Sequence, residues 1–202
     1  MERVPRRQKK PVSQAGQIRI IGGKWRGRRL SFPTLEGLRP TGDRVRETLF
    51  NWLQLDLPGA TCLDLFAGSG VLGFEAASRG AHQVTLIEQN PVAFHALRQN
   101  RDLLDANTSE LDIIHQDALG WLNGNIAGTR RFDIVFIDPP FNSTLAERAL
   151  SALAENAWLS AGALVYVESP KASNHTTLTR PGWQLHRQRT FASVVSQLYR
   201  CP

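Results

Sequence analysis

The residues best suited to chemistry in this chain are four in a row, Asp138-Pro139-Pro140-Phe141. They end the apolar run Phe132-Asp133-Ile134-Val135-Phe136-Ile137, which reads as a buried strand. Proline fixes φ and removes a backbone donor, and a residue before proline is pushed out of the helical region. The string is therefore stiff, and it offers a carboxylate, bare carbonyls and a ring. A planar group with an NH2 on its edge suits such a site. The ring of Phe141 can stack on it, while Asp138 and the Pro139 carbonyl accept the two amine protons. Taken alone, the string also fits a rigid strand-to-helix turn with a capping carboxylate.

The upstream sequence points away from a mere turn. Cys62-Leu63-Asp64-Leu65-Phe66-Ala67-Gly68-Ser69-Gly70-Val71-Leu72-Gly73 runs from a short apolar strand through a glycine-rich turn into a helix. Gly68, Gly70 and Gly73 spell the dinucleotide fingerprint, a weak signal by itself. Asp64 inside the strand has little use at a pyrophosphate. It is useful to a cofactor with a cationic amino-acid tail, whose ammonium it can face. Gly68 and Gly70 let the backbone approach that cofactor, and the following helix start offers N–H groups to its carboxylate. The role of Phe66 is open between core and cofactor contact. The next strand, Gln83 to Ile87, ends in Glu88, placed to accept from ribose hydroxyls. A third, Leu111 to Ile114, leads to Asp117, either a helix N-cap, an acceptor for an adenine amine, or both.

These four strand ends together resemble the class I S-adenosylmethionine-dependent methyltransferases. Asp64 to Gly73 is similar to their first motif, Glu88 to their second and Asp117-Ala118 to their third. Asp138 to Phe141 resembles the catalytic motif of the amino-methyltransferases. Two N-terminal stretches, Ile18 to Arg28 and Leu38 to Leu53, resemble the signature of the RsmD family, and the likeness runs from Gln17 to Tyr199. The resemblance implies methyl transfer from S-adenosylmethionine, leaving S-adenosylhomocysteine. The implied acceptor is the N2 amine of a guanine, position 966 in the usual bacterial count, of small-subunit 16S ribosomal RNA. It also places Thr41 and Arg44 beside the cofactor. Other readings stand beside it: an amino-methyltransferase for DNA adenine N6 or protein glutamine N5, or a largely non-catalytic ribosome-assembly RNA-binding protein. A nicotinamide oxidoreductase would leave Asp138 to Phe141 without a task.

Charge agrees with an RNA partner. The 202 residues carry a net charge of +6. The excess is concentrated before Ser31, where ten Lys and Arg face one acid, Glu2. Arg19, Lys24, Arg26, Arg28 and Arg29, with Trp25 among them, form a candidate RNA-binding hairpin, and Arg39 extends it. Trp25 can either stack on an unpaired base or pin the hairpin to the body. The five histidines lack ligand spacing, so no metal is expected. Two scattered cysteines fit a reducing cytoplasm. No apolar run is of membrane-spanning length, so no membrane partner is expected. No obligate protein partner is evident, and the expected substrate context is a small-subunit particle.

The elements that must position these residues follow from the patterning. Residues 1–16 read as a basic disordered tail. Residues 17–57 read as an RNA-binding extension, a hairpin of Gln17–Ile21 and Arg28–Phe32 followed by a helix that Asp43 caps. Residues 58–202 read as the methyltransferase domain. There, near-continuously apolar strands, as expected when both faces are covered, alternate with helices at about 70–79, 91–104, 118–123 and 144–156. A fifth strand, Ala163–Val167, is followed by two more around 183–187 and 193–199. The fold expected is a doubly wound, mostly parallel, seven-stranded α/β sheet with an antiparallel C-terminal strand, Rossmann-like, plus the N-terminal β-hairpin.

Overall fold

The computed structural model describes residues 16–35, 40–124, 130–140, 144–171 and 180–202. Phe141 and Arg39 lie outside the described residues, as does all of the expected tail but Gly16. The seven-stranded sheet is present. Its strands are β3 (Thr61–Asp64), β4 (Gln83–Glu88), β5 (Leu111–His115), β6 (Phe132–Ile137), β7 (Leu159–Pro170), β8 (Gln184–Thr190) and β9 (Val194–Arg200). They lie in the order β5-β4-β3-β6-β7-β9-β8. Every pairing from β5 to β7 is parallel, and β9 runs antiparallel to both neighbours. This is the class I methyltransferase fold. The order reverses direction between β4–β3 and β6, so the crevice at the carboxyl ends of these strands is where a ligand belongs. Among the described residues, no helix is long and apolar enough to cross a membrane.

Two apolar clusters cover the two faces of the sheet. One joins the hairpin, α1 (Asp43–Trp52) and α2 (Val71–Ser78) to Ile134, Phe136 and Tyr166. The other joins α4 (Ala118–Gly124) and α5 (Leu145–Glu155) to Leu63, Val135 and Val165. From Ile134 to Ile137, odd and even residues of β6 thus serve opposite faces, as the strand period requires, while Phe132, before a register shift, packs with the odd ones. All eight residues of α2 are buried, because the sheet lies on one side of it and the hairpin and α1 on the other. The helix α3 (Pro91–Leu103) starts at Asn90, whose side chain accepts from the N–H groups of Val92 and Ala93.

The hairpin strands are β1 (Gly16–Arg19) and β2 (Arg29–Phe32), shorter than the sequence pattern indicates. The cause is competition for backbone donors. The N–H groups of Ile21 and Gly22 go to the carboxylate of Glu75 at 2.8 Å rather than across the hairpin. Lys24 N–H donates to the Ser78 carbonyl at 2.7 Å. The chain passes so close here that a Cβ on Gly23 would lie 1.8 Å from that carbonyl oxygen, and Gly23 has φ +75°. The α1 cap also differs. Gly42 holds the cap position without a side-chain bond, because the Asp43 carboxylate is drawn to Arg46 at 2.6 Å.

Candidate active site

Asp64 and Glu88 end β3 and β4, Asp138 follows β6, and Glu168 lies two residues before the end of β7. All four line one cavity of about 940 Å³. It reaches from Glu88 and Asp117 on one side to the β8–β9 join, residues 189–194, on the other. Thr41, Arg44, Phe66, Gly68, Ala118, Pro139 and Pro140 line it too. Of the cofactor residues expected from sequence, Gly70 alone is not in the lining. It lies behind the wall, at φ +77°, where a Cβ would come within 2.3 Å of Leu97.

Each acid is held by identifiable donors. Asp64 Oδ2 accepts from the Gly73 N–H at 3.1 Å, tying the end of β3 to the start of α2. Glu88 accepts from the N–H groups of Gly68 at 2.7 Å and Asn90 at 2.6 Å, so it also shapes the glycine turn. Asp138 Oδ2 accepts from the Thr41 hydroxyl at 2.9 Å. Asp117 caps the next helix, accepting from Gly120 N–H at 2.7 Å, and remains exposed at the cavity rim. Phe66 packs partly against the second cluster while its other side lines the cavity.

Burial, with neighbouring charge at Asp64 and Glu168, makes three of these carboxyls costly to ionise. Burial lifts Asp64 to about 7, with the charges of Asp138 and Glu88 adding to the rise and the Gly73 N–H opposing it. Burial lifts Asp138 to about 6 against the Thr41 hydrogen bond. Glu168 goes to about 8 through burial and the charge of Asp138, opposed by the hydrogen bond from Tyr166. Ionising these carboxyls is costly when the cavity is empty and favoured beside a cationic ligand, whose charge offsets both causes.

The sequence pattern leaves three residues here without a role. Glu168 is only the acid that follows the expected strand Ala163–Val167. Arg46 and Glu75 are fully buried and paired, and they join the hairpin, α1 and α2. Arg46 donates to the carbonyls of Thr41 and Arg19, and Glu75 also binds Arg79. The available signals are a lone arginine between Val45 and Leu49 on an apolar stripe, and a lone acid within an otherwise apolar helix. Arg46 thereby anchors the carbonyl of Thr41, the residue whose hydroxyl holds Asp138.

The basic residues divide. Trp25 is 8% exposed, its ring packs in the core cluster and its backbone N–H donates to the Ser78 hydroxyl at 2.9 Å, so it pins the hairpin. Lys24 pairs with Glu110, and Arg28 donates to the Leu103 carbonyl at 2.7 Å. Those partners lie before β5 and at the end of α3, on the side of the sheet where the parallel strands begin. A six-residue strand is about 20 Å long, which separates these two cations from Asp138. Arg19, Arg26 and Arg29 are exposed. Arg44 and Arg189 are exposed cations that line the cavity itself.

Comparison with known proteins fits this architecture. The family profile described as conserved hypothetical protein 95 matches residues 18–200. The chain belongs to that family, the RsmD family. It is 45% identical to Ribosomal RNA small subunit methyltransferase D of Haemophilus influenzae, covering 92% of this chain and 94% of that one. It is 46% identical to the protein of the same name in Escherichia coli K12, covering 95% and 94%. A solved structure from Escherichia coli shares 45% identity and superposes with a TM-score of 0.83 over 92% of this chain and 98% of that chain. One from Haemophilus influenzae, at 42% identity, gives 0.78 over the same shares.

Proposed function

We propose that this member of the RsmD family transfers a methyl group from S-adenosylmethionine to N2 of a guanine in small-subunit 16S ribosomal RNA, guanine 966 in the usual count. The observation that carries the reading is the Asp138 carboxylate, fixed by Thr41 at the tip of a central strand and followed by two prolines beside a cavity lined with acids. The family membership and the names of its relatives support the RNA substrate.

In this reading Asp64 faces the ammonium of the donor and Glu88 its ribose. Asp117 and Ala118 border its adenine, and Thr41, Arg44, Phe66, Gly68 and Gly70 complete or shape the pocket. When bound, S-adenosylmethionine supplies an electrophilic methyl on a sulfonium, which departs without needing an acid. The difficulty lies with the nucleophile, because an arylamine lone pair is delocalised into its ring. Asp138 and the Pro139 carbonyl accept the amine protons and turn the lone pair toward the methyl. Pro140 keeps the loop stiff, and Phe141 stacks on the base. This is orientation and preorganised charge. Positive charge grows on nitrogen as the bond forms, and Asp138 takes the proton late. A paired guanine cannot present N2 to this site, so the nucleotide is extruded or already unpaired.

The division of labour is part of the same proposal: 17–57 as RNA-binding extension, 58–202 as methyltransferase domain. Arg44 and Arg189 meet phosphates next to the reacting nucleotide, while Arg19, Arg26 and Arg29 hold flanking RNA with Arg39. Lys24, Trp25 and Arg28 contribute by fixing the hairpin. The test is labelled-methyl transfer to small subunits, naked 16S RNA and DNA, followed by nucleoside identification. N2-methylguanosine from the RNA is expected. Label in N6-methyladenine or in protein would overturn the reading.

A further inference from the structure

Glu168 is a buried carboxylate without a part in the chemistry above. It follows Val167 on β7 as Asp138 follows Ile137 on β6, and Ile137 and Val167 are register partners. The two acids therefore sit side by side, Asp138 just past the end of β6 and Glu168 two residues before the end of β7, about 5 Å apart across the sheet. Glu168 is 6% exposed and lines the same cavity. One of its oxygens, Oε2, accepts from the Tyr166 hydroxyl at 2.8 Å, and that hydroxyl lies 2.9 Å from Ser196 Oγ. All three residues are buried, and this relay fixes the carboxylate. Among the described residues, Oε1 has no hydrogen-bond partner. Every fully buried side-chain oxygen or nitrogen among them has one, so Oε1 is the oxygen open to the cavity.

We propose that Glu168 reads the base: its open oxygen accepts the N1–H of the guanine whose N2 amine Asp138 holds. This rests on the guanine-N2 reading and adds what selects the base. The argument lies in what stands beside each candidate amine. Guanine has a ring N–H next to its NH2. Adenine has N1, cytosine has N3 and a glutamine amide has its carbonyl, all acceptors. An acid beside Asp138 completes a pair of acceptors for the two adjacent donors of guanine. Once ionised, it meets the other three lone pair to lone pair. Accepting the N1–H also favours the carboxylate form over the acid, so binding of the base draws Glu168 toward ionisation. A buried group built to pair with one donor rejects analogues that lack it much more strongly than apolar contact does.

The decisive probe is RNA carrying 2-aminopurine at the target position. It keeps the reacting amine at C2 but has an acceptor at N1. At about pH 8.5, where Glu168 is mostly ionised and guanine still mostly keeps its N1–H, the wild-type protein is expected to methylate guanine at least about a hundredfold faster than 2-aminopurine. Glu168→Gln can turn its amide NH2 toward the acceptor, so preference should shift to 2-aminopurine. Glu168→Leu can do neither, so the ratio should approach one while the guanine rate falls. Thermal unfolding and donor titration check that both variants fold. If they do not, the wild-type ratio alone decides. Methylation of both purines within threefold by the wild type, or an unchanged ratio in the folded variants, would overturn the proposal. A wild type that methylates neither purine in the RNA rejects the guanine-N2 reading itself, and this inference with it.

Discussion

The Thr41 hydroxyl donates a 2.9 Å hydrogen bond to Asp138 Oδ2, joining positions 97 residues apart. Thr41 ends the segment between the hairpin and α1, and Asp138 begins the loop after β6. The bond couples the extension to the reacting carboxylate, and it opposes the burial that lifts Asp138 to about 6.

That coupling has a pH signature. The amine needs a carboxylate acceptor, so turnover should fall as pH drops through about 6. Thr41→Val removes the donor that stabilises the ionised form. Asp138 then rises further, the acid limb of the kcat profile moves to higher pH, and kcat near neutrality falls about tenfold, in line with a hydrogen bond to a charged group. Thr41→Ser should behave like wild type. An acid limb unmoved in Thr41→Val would separate Thr41 from the chemistry.

Donor binding should depend on pH through Asp64. Burial raises Asp64 to about 7, and a nearby ammonium favours its ionised form. Below about 7 the group must release a proton when the donor binds, so affinity weakens toward tenfold per pH unit as pH falls. Above that range affinity levels off, and it falls again once the donor's own ammonium loses its proton near about 8. Calorimetry in two buffers of different ionisation heat measures the released proton directly. Asp64→Asn should bind the donor more weakly and without this dependence. A wild type that binds without proton release at pH 6 would place the ammonium elsewhere.

The hairpin is a structural part of the body. Trp25→Ala should lower stability by about 3–5 kcal/mol, the cost of emptying a large core site, visible as a reduced denaturant midpoint. Arg46→Leu strands Glu75, and loss of one partner from a buried pair costs about 3–5 kcal/mol. Arg79 still faces Glu75 at 2.7 Å, which places the expected cost at the lower end. The double variant Arg46→Leu/Glu75→Gln should recover part of that loss. A Trp25→Ala protein of wild-type stability would mean that the ring contributes nothing to docking.

Much of this was legible in the sequence where local rules act alone. Strand ends at Asp64, Glu88 and Asp138 follow from apolar runs that stop at an acid, and the glycine turn marks its own place. The hairpin ends and the α1 cap depart from the sequence pattern because side chains compete for local groups: Glu75, distant in sequence, takes two hairpin N–H donors, and Arg46 takes the Asp43 carboxylate. The role of Trp25 depends on which face of the hairpin meets α2, which periodicity in a short hairpin does not encode. Lys24 and Arg28 read as free cations until their partners, Glu110 and the Leu103 carbonyl, are brought beside them. Glu168 gains meaning only from the register that sets it beside Asp138.

Asp138→Ala tests the central claim most directly, with methyl transfer to small-subunit RNA and donor affinity measured on the same folded protein. Loss of one preorganised partner of the reacting group typically costs about 10²–10³ in rate. Single-turnover methylation should fall by that amount or more, while donor affinity stays within a few fold. Near-wild-type transfer by Asp138→Ala would contradict the account.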